Sequence, residues 1–325
     1  MIEVSVIIPV YNAGKYVSDA VNSALSQPET KEVILIEDCS SDSSLEVCEN
    51  ISSTYDNVLL IRNRKNLGAG ESRNVGIRAA KSEFIAFLDA DDFYLPNRFR
   101  EAKRVFENNA QCDGVYEPIS MYIQDQKGWD KWVESGKKQQ KLHFLKKAVS
   151  PEKLGEALLY GTDGGFSIDG LVIKKKAIER VAFFPKKIVL HEDTCFLIKH
   201  GFKSTLLPGR TNEPVASWRV HQGNRISVKI DETKKSLNHC KLYRELFLWA
   251  RYQLDQTERT KIIKMLESEF LNYINLTTRK KPILRNSIYF FMRFAIYCPK
   301  LVLERRFWRF AANNLTKNIF AQFEN

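Results

Sequence analysis

The chain has 325 residues, 44% of them hydrophobic and 27% charged, and its formal net charge at pH 7 is +11. This length can bury a large core, and the composition favours a globular protein and excludes a low-complexity one. Six scattered cysteines without a C-x-x-C pair argue against a disulfide framework and a cysteine zinc site. The chain runs from Met1 almost directly into an apolar stretch, so we expect no targeting segment before the fold.

Strands and helices alternate in the first 112 residues. Apolar, β-branched runs predict the strands, and apolar residues at helical spacing predict the helices between them. Because a helix follows each strand, the sheet should be parallel and doubly wound, with right-handed crossovers. The predicted strands cover 4–10, 33–36, 58–61 and 84–88, and the predicted helices follow Gly14, Asp42 and Gly70, with a fourth beginning at Pro96.

Three carboxylates follow the fourth predicted strand, in the sequence Asp89-Ala90-Asp91-Asp92. Burying them unpaired would be costly, and at the carboxyl end of a buried strand a divalent cation would compensate their charge. Mg²⁺ and Mn²⁺ take oxygen ligands and commonly bridge carboxylates to phosphates. We therefore predict a metal–diphosphate site at Asp89 and Asp91, although a solvated acidic turn would show the same short pattern.

Other strand ends carry groups suited to a nucleotide. After the first strand, the ring of Tyr11 and the amide of Asn12 would stack on and hydrogen-bond a base. Asp38, after the second strand, would accept an N–H from a pyrimidine. A glycine-punctuated loop leads to Arg73, which would address the base or the phosphates. The predicted donor-binding residues are Pro9, Val10, Tyr11, Asn12, Asp38, Asn66, Gly68, Arg73, Asp89, Ala90 and Asp91.

The pattern loosens after Asp113. Residues 119–150 are polar and basic, which indicates an insertion or a flap over the sheet. Strand character returns at 166–174, and a helix is predicted over 189–199. That helix carries Glu192-Asp193 near its start, a second pair of carboxylates.

Three segments in combination make the chain resemble the inverting glycosyltransferases of family 2, of the bacterial surface-polysaccharide type. They are residues 4–27, 32–44 and 66–99. Family members usually carry V-D-D-G-S-x-D in the second segment, where this chain has Glu37 and Cys39 instead of the first Asp and the Gly. Neither change removes Asp38, which the resemblance places against the base. The resemblance implies the GT-A fold, an α/β, Rossmann-like, doubly wound and mostly parallel sheet flanked by helices.

The resemblance also implies roles for three further residues. Asp193 corresponds to the general base that takes the proton of the acceptor hydroxyl, with Glu192 as the second choice. His221 lies in a segment similar to the family's post-catalytic one, where a His completes the coordination of Mn²⁺ or Mg²⁺ with Asp91 and Asp89. Two ordinary explanations stay open. Glu192 and Asp193 also suit the acidic first turn of a helix, and His221 also suits a simple hydrogen-bonding role.

Residues 231–325 form a predicted helical extension, rich in aromatic residues. They hold 18 Lys+Arg against 9 Asp+Glu and so supply +9 of the net charge. Within 283–303, three basic residues leave uncharged runs far shorter than the ~20 residues that a membrane span needs. Two interpretations stay open. The helices could bind an anionic membrane that presents a lipid-linked acceptor, or pack on the catalytic domain or on a second subunit of a homo-oligomer.

We expect two domains from these patterns. Residues 1–230 would form the catalytic domain, with a nucleotide-sugar-binding half at 1–112 and an acceptor-binding, catalytic half at 113–230. Residues 231–325 would form the C-terminal region.

The predicted function is that of a metal-dependent inverting glycosyltransferase. It would move a sugar from a nucleotide-sugar, most simply a UDP-sugar, to a hydroxyl of a growing surface glycan such as lipopolysaccharide or capsule. We expect it in the cytoplasm, with peripheral contact to the cytoplasmic face of the inner membrane.

Two alternative functions make different demands on the sequence. A sugar-phosphate nucleotidyltransferase would carry a glycine-rich, Lys- or Arg-bearing loop after its first strand, where this chain reads PVYNAGKY. The non-enzyme alternative is a basic membrane- or nucleic-acid-binding module. No aromatic groove or nucleic-acid motif accompanies the positive charge, so we expect no nucleic-acid partner.

Overall fold

A computed structural model describes residues 2–135, 142–224 and 231–278. The chain divides into two compact units, Met1–Ile230 and Asp231–Asn325. In the part of the chain that is described, no helix has the length and apolarity that crossing a membrane requires. The aromatic, basic stretch 283–303, for which membrane contact and protein packing were both left open, lies outside the described residues.

The first unit consists of strands and helices that mostly alternate. Its strands are β1 (Val4–Val10), β2 (Thr30–Glu37), β3 (Val58–Arg62), β4 (Phe84–Phe87), β5 (Phe93–Tyr94), β6 (Gly114–Tyr116), β7 (Ile119–Ile123), β8 (Leu171–Lys174), β9 (Leu206–Pro208) and β10 (Ala216–Val220). Its α-helices are α1 (Val17–Leu25), α2 (Ser44–Thr54), α3 (Ala69–Ala79), α4 (Arg100–Asn108), α5 (Gln126–Glu134), α6 (Pro151–Tyr160), α7 (Lys175–Val181) and α8 (Glu192–Lys203).

Seven strands form the main sheet, in the order β3-β2-β1-β4-β8-β6-β9. Strands β1, β2, β3 and β4 are parallel, and β8 runs antiparallel to both of its neighbours. A second sheet has the order β5-β10-β7. The acidic segment Asp89–Asp92 connects β4 of the main sheet to β5 of the second, so it lies where the two sheets meet.

Both faces of the main sheet are buried. Alternate residues of β1 face opposite sides: Val6 and Ile8 belong to one core cluster and Ile7 to the other. Gly76 of α3 explains the close packing on the Ile7 side, because a Cβ there would lie 2.5 Å from Ile7 Cγ2. Burial on both faces accounts for the nearly continuous apolar sequences of these strands.

Three local predictions differ from the structure. The strand predicted from residue 166 begins at Leu171, because Ser167 accepts a hydrogen bond from Asp169 N and starts a 3-10 turn. The helix predicted to begin at Pro96 begins at Arg100, after a turn in which Asn97 has a φ of 60°. The region predicted as an insertion or flap contains β7, which pairs with β10 in the second sheet.

The described part of the second unit is a pair of helices, α9 (Glu232–Gln253) and α10 (Gln256–Thr278). Asp231 caps α9 by accepting from the backbone of Thr233 and Lys234. Ser236, near the start of α9, donates to Glu269 Oε1, in the second half of α10, at 2.5 Å. The two helices therefore pack antiparallel.

Candidate functional site

The loops after β1 and β2 are fastened to each other at the carboxyl edge of the main sheet. Asn12, with a φ of 51°, donates its backbone N–H to Ser40 Oγ and accepts from Ser41 N through its side chain. Val10 O accepts from Asp38 N at 2.8 Å. Tyr11, in contrast, is 52% exposed, whereas Pro9 lies within β1, paired with Ile36. Tyr11 is thus free to contact a ligand, whereas Asn12 maintains the loops.

Asp38 is buried and organises the glycine-punctuated loop. Its carboxylate accepts from Asn63 Nδ2, Leu67 N and Gly68 N, each at 2.8 Å. Gly68 has a φ of 82°, which favours glycine, and also donates to Asn66 Oδ1. A carboxylate has about four lone-pair positions, so these donors leave room for one more. Contact between Asp38 and a base stays a prediction.

Asp91 lies in the acidic segment beside the predicted metal-binding histidine. His221 Nε2 is 3.1 Å from Asp91 Oδ2, and Asn224 Nδ2 donates to the same oxygen at 3.2 Å. His221 and Asn224 are buried, and the ring of Tyr16 packs on His221 with centroids 4.3 Å apart. The structure therefore brings together two of the three predicted metal-binding residues.

Asp89 is linked instead to the predicted catalytic pair. Arg73 Nη2 donates to Asp89 Oδ1 at 2.5 Å, and Arg73 Nη1 lies 3.5 Å from Glu192 Oε1. Burial opposes the charge of Arg73, but Asp89, Glu192 and Asp193 outweigh it and raise the arginine's pKa. Ala90, between the two predicted metal-binding Asp residues, is buried. Arg73 therefore joins the acidic segment to the start of α8.

Asp193, the predicted base, begins α8 beside Glu192. Its Oδ1 accepts from Thr194 N at 2.6 Å, while its Oδ2 has no hydrogen-bond partner among the described residues. Glu192 is 6% exposed, whereas Asp193 is only partly buried. Of the two carboxylates, Asp193 is the more accessible to a substrate hydroxyl.

Two buried carboxyl groups behind Asp89 were not predicted as part of the site. Asp89, Asp92 and Asp169 offer carboxylate oxygens that all lie within 4.8 Å of one another. Burial raises the pKa of Asp92 well above its ordinary value, and burial and the charge of Asp89 raise the pKa of Asp169 to about 8. Asp92 and Asp169 are hydrogen-bonded to each other. Their raised pKa values favour retention of a proton between them, which would limit the negative charge behind Asp89.

Arg219 of β10 is a third residue that the sequence analysis did not assign. Its guanidinium donates to Asp91 O, Gln124 Oε1 and Asp19 Oδ2, each at 2.9 Å. Its backbone N–H donates to Asp92 Oδ1 at 2.8 Å. These bonds fix the acidic segment to β10 and to α1. The only sequence signal was its place two residues before His221.

The chemistry of this donor set fits a divalent cation. Adjacent ligands of an octahedral ion with bonds of about 2.1 Å lie about 3 Å apart, and Asp91 Oδ2 and His221 Nε2 are separated by 3.1 Å. Carboxylate oxygen with imidazole nitrogen suits Mn²⁺, whereas Mg²⁺ strongly prefers oxygen alone. The side chain of Asp89 is 40% exposed, so its second oxygen can also face a ligand.

Comparisons with known proteins bear on this arrangement. The family model "Glycosyl transferase family 2" matches residues 5–180, more than half of the chain. An uncharacterized glycosyltransferase of Haemophilus influenzae is 26% identical over 242 residues, 73% of this chain and 75% of that protein. A second one, from Rickettsia felis, is 27% identical over 282 residues, 82% of this chain and 41% of that protein.

A relative with a named activity is the poly(ribitol-phosphate) beta-N-acetylglucosaminyltransferase TarS of Staphylococcus aureus. It is 33% identical over 105 residues, 31% of this chain and 18% of that protein. The chain thus spans less than half the length of both the Rickettsia protein and TarS.

Two solved structures resemble the fold. S. aureus TarS 1-349 in complex with UDP-GlcNAc superposes with a TM-score of 0.60 at 18% identity, covering 88% of this chain and 75% of that one. Mannosyltransferase PcManGT from Pyrobaculum calidifontis, in complex with GDP-Man and Mn²⁺, gives a TM-score of 0.51 at 15% identity, covering 98% and 88%. These likenesses confirm the predicted fold class, a mostly parallel sheet flanked by helices.

Proposed function

Because this chain belongs to glycosyl transferase family 2, we propose that it is a metal-dependent, inverting glycosyltransferase that uses a UDP-sugar. The observation that carries this proposal is the 3.1 Å approach of Asp91 Oδ2 and His221 Nε2 at the carboxyl end of β4. Substrate binding at that edge is general for α/β sheets. The bound UDP-GlcNAc in the similar TarS structure supports the choice of UDP.

The nucleoside would lie over the loops after β1 and β2. The exposed ring of Tyr11 supplies a stacking surface, and Asp38 has one acceptor position left for a base N–H. Both loops are held by hydrogen bonds, so little conformational entropy would be lost on binding. Asn66 and Gly68 shape the wall beside Asp38.

The diphosphate would lie between Asp91, His221 and Arg73. Asp91 and His221, with Asp89 beside them, would hold Mn²⁺ or Mg²⁺, and the Mn²⁺ in the similar PcManGT structure supports this. The cation would neutralise the charge that grows on the departing diphosphate. Arg73 keeps its positive charge through its ion pairs and adds to the field at this position.

The proton of the acceptor hydroxyl would go to Asp193. An inverting transfer needs a base on the side of the sugar opposite the diphosphate. The free Oδ2 of Asp193, at the start of α8, suits that role, and Glu192 is already paired with Arg73. A single displacement with Asp193 as base converts an α-linked donor sugar into a β-linked product.

The acceptor would be a hydroxyl of a bacterial cell-surface glycan. The name of TarS, which acts on poly(ribitol-phosphate), supports a cell-wall polymer as readily as lipopolysaccharide or capsule. Peripheral contact with an anionic membrane, a lipid-linked acceptor and a homo-oligomer are proposals that rest on the basic region 231–325, and a cytoplasmic site is a proposal that rests on the scattered cysteines.

Screening nucleotide-sugars for thermal stabilisation with Mn²⁺ would identify the donor. NMR of the anomeric proton would then give the stereochemistry of the product. Asp193→Asn should bind that donor as the wild type does but slow transfer by roughly 10²–10⁴-fold, because the base is lost. Transfer at the parental rate would move the base elsewhere, and retention of the anomeric configuration would reject the inverting mechanism.

A further inference from the structure

Helix α5 packs against the turn that carries His221. Trp132 of α5 is 3% exposed and meets Trp218 of β10 edge to face, with ring centroids 4.7 Å apart. This contact anchors α5 on the strand that leads into His221. The helix comes from the segment for which a flap was predicted, and the proposed donor chemistry gives it no role.

Gly128 allows the closest part of this contact. A Cβ at position 128 would lie 2.5 Å from both Cα and C of His221 and 2.8 Å from its N. The obstacle is backbone rather than a movable side chain, so even alanine would push helix and turn apart. The position of His221 therefore depends on the absence of a side chain at Gly128.

Two other side chains of this region hold the residue after His221. Lys131 Nζ donates to Gln222 O at 2.8 Å, and Gln222 N donates to Asp125 Oδ2 at 3.4 Å. Asp125 Oδ1 at the same time caps α5 by accepting from Gly128 N at 2.6 Å. The N–H and the C=O of one residue, Gln222, are thus both bound by α5 and its cap.

Asn224 links the turn to the acidic segment. Its Oδ1 accepts from His221 N at 2.5 Å, and its Nδ2 donates to Asp91 Oδ2 at 3.2 Å. One amide therefore sets the distance between the backbone of His221 and the carboxylate of Asp91. With α5 on one side and Asn224 on the other, the His221 backbone has little freedom to move.

We propose that Gly128 and Lys131 are positioning residues for the divalent cation, because α5 holds His221 at its distance from Asp91. The inference rests on the proposed function, in which His221 and Asp91 share the cation. Metal ligands must be placed to within a few tenths of an ångström, and loss of a supporting contact typically weakens metal affinity about 10–100-fold.

Gly128→Ala tests the steric part of the proposal, with Gly165→Ala as the matched control. Nothing lies within 4 Å of a Cβ built at Gly165. Mn²⁺ would be titrated into the full-length variants in the presence of UDP, and free Mn²⁺ followed by electron paramagnetic resonance. We expect Gly128→Ala to bind Mn²⁺ at least 10-fold more weakly than wild type and Gly165→Ala to bind it equally well. Since alanine favours a helix over glycine, a loss cannot come from a weaker α5.

Lys131→Met tests the same proposal without inserting an atom near His221, in case Gly128→Ala fails to fold. We expect weaker Mn²⁺ binding, restored by Lys131→Arg, which can still donate to Gln222 O. Lys127→Met is the control, because Lys127 is an exposed lysine of the same helix. Equal Mn²⁺ affinity in Gly128→Ala, Lys131→Met and wild type would overturn the proposal.

His221→Ala distinguishes a wrong assignment of α5 from a wrong assignment of the cation site itself. If His221→Ala loses Mn²⁺ affinity while both α5 variants keep it, only the role of α5 is rejected. If His221→Ala binds Mn²⁺ as wild type does, the cation site itself is misassigned and the inference about α5 falls with it.

Discussion

The loop at Asp38 and the acidic segment at Asp89–Asp92 both follow parallel strands, but they treat negative charge in opposite ways. Asp38 is surrounded by N–H donors, three of which hold its carboxylate at 2.8 Å. In the acidic segment, carboxylates face one another, and the charge is balanced by Arg73 and by a shared proton. An Asp at a strand end can thus organise its own loop, as Asp38 does, or lie among other carboxylates, as Asp89 does, depending on the donors around it.

The largest expected effect is the loss of catalysis when an aspartate of the acidic segment is replaced. Asp91→Ala should lower metal-dependent transfer by at least about 10³-fold, because a proposed cation ligand is removed. The midpoint of thermal unfolding should change little, because relief of the repulsion between Asp91 and the buried Asp92 offsets the acceptor that His221 and Asn224 lose. Initial rates over a Mn²⁺ series, together with calorimetry, would check both expectations. Turnover close to that of wild type would exclude Asp91 from the mechanism.

Asp38→Ala should instead lower the stability of the fold and leave the proposed metal site intact. The variant removes three hydrogen bonds, from the part-buried N–H groups of Leu67 and Gly68 and from the amide of Asn63, which should cost about 2–4 kcal/mol of folding free energy. Urea unfolding would measure the loss, and Mn²⁺ affinity should be unchanged. If Asp38→Ala unfolds at the same urea concentration as Asp91→Ala, the two loops do not differ in the way described.

A smaller effect on folding stability is expected when pH changes the protonation of Asp92 and Asp169. The pKa of Asp169 is raised from the ordinary 3.8 to about 8. The folded protein therefore binds this proton more tightly than the unfolded chain, and the resulting stability is full below pH 3.8 and lost as pH rises toward 8.

Asp169→Asn removes that titration but keeps an acceptor for Asp89 N. Its thermal stability relative to wild type should therefore increase between pH 5 and pH 8, by about 1–3 kcal/mol, with EDTA present. Asp56→Asn, at an exposed aspartate, serves as the control. A difference that is constant across this pH range would mean that the pair does not hold a proton.

The sequence predicted the fold and the family because both rest on local patterns. β1 was predicted with its observed bounds, since a β-branched run is buried on both faces. Asp89 and Asp91 were recognisable because three acids at a strand end are unusual. The proximity of Asp91 and His221, 130 positions apart, was reached through the resemblance and not through any local pattern.

The residues that sequence reasoning missed act through long-range contacts. Asp169 was read as the middle of a strand, and only the fold brings its carboxyl group to Asp89 N, 80 positions away. Arg219 was given no role, although its bonds reach Asp19 on α1, 200 positions away. These long-range contacts depend on how the two sheets pack together. Neither secondary-structure propensity nor hydrophobic periodicity predicts that packing.

Arg73 has a consequence for how the site fluctuates. Its buried guanidinium takes its counter-charges from two distant stretches, Asp89 after β4 and Glu192 at the start of α8. Separating either stretch would leave a cation partly uncompensated away from water, which is among the costlier events in a protein interior. We therefore expect transient local unfolding of the two stretches to be concerted, so that the exchange of their amide hydrogens with solvent belongs to one cooperative unit.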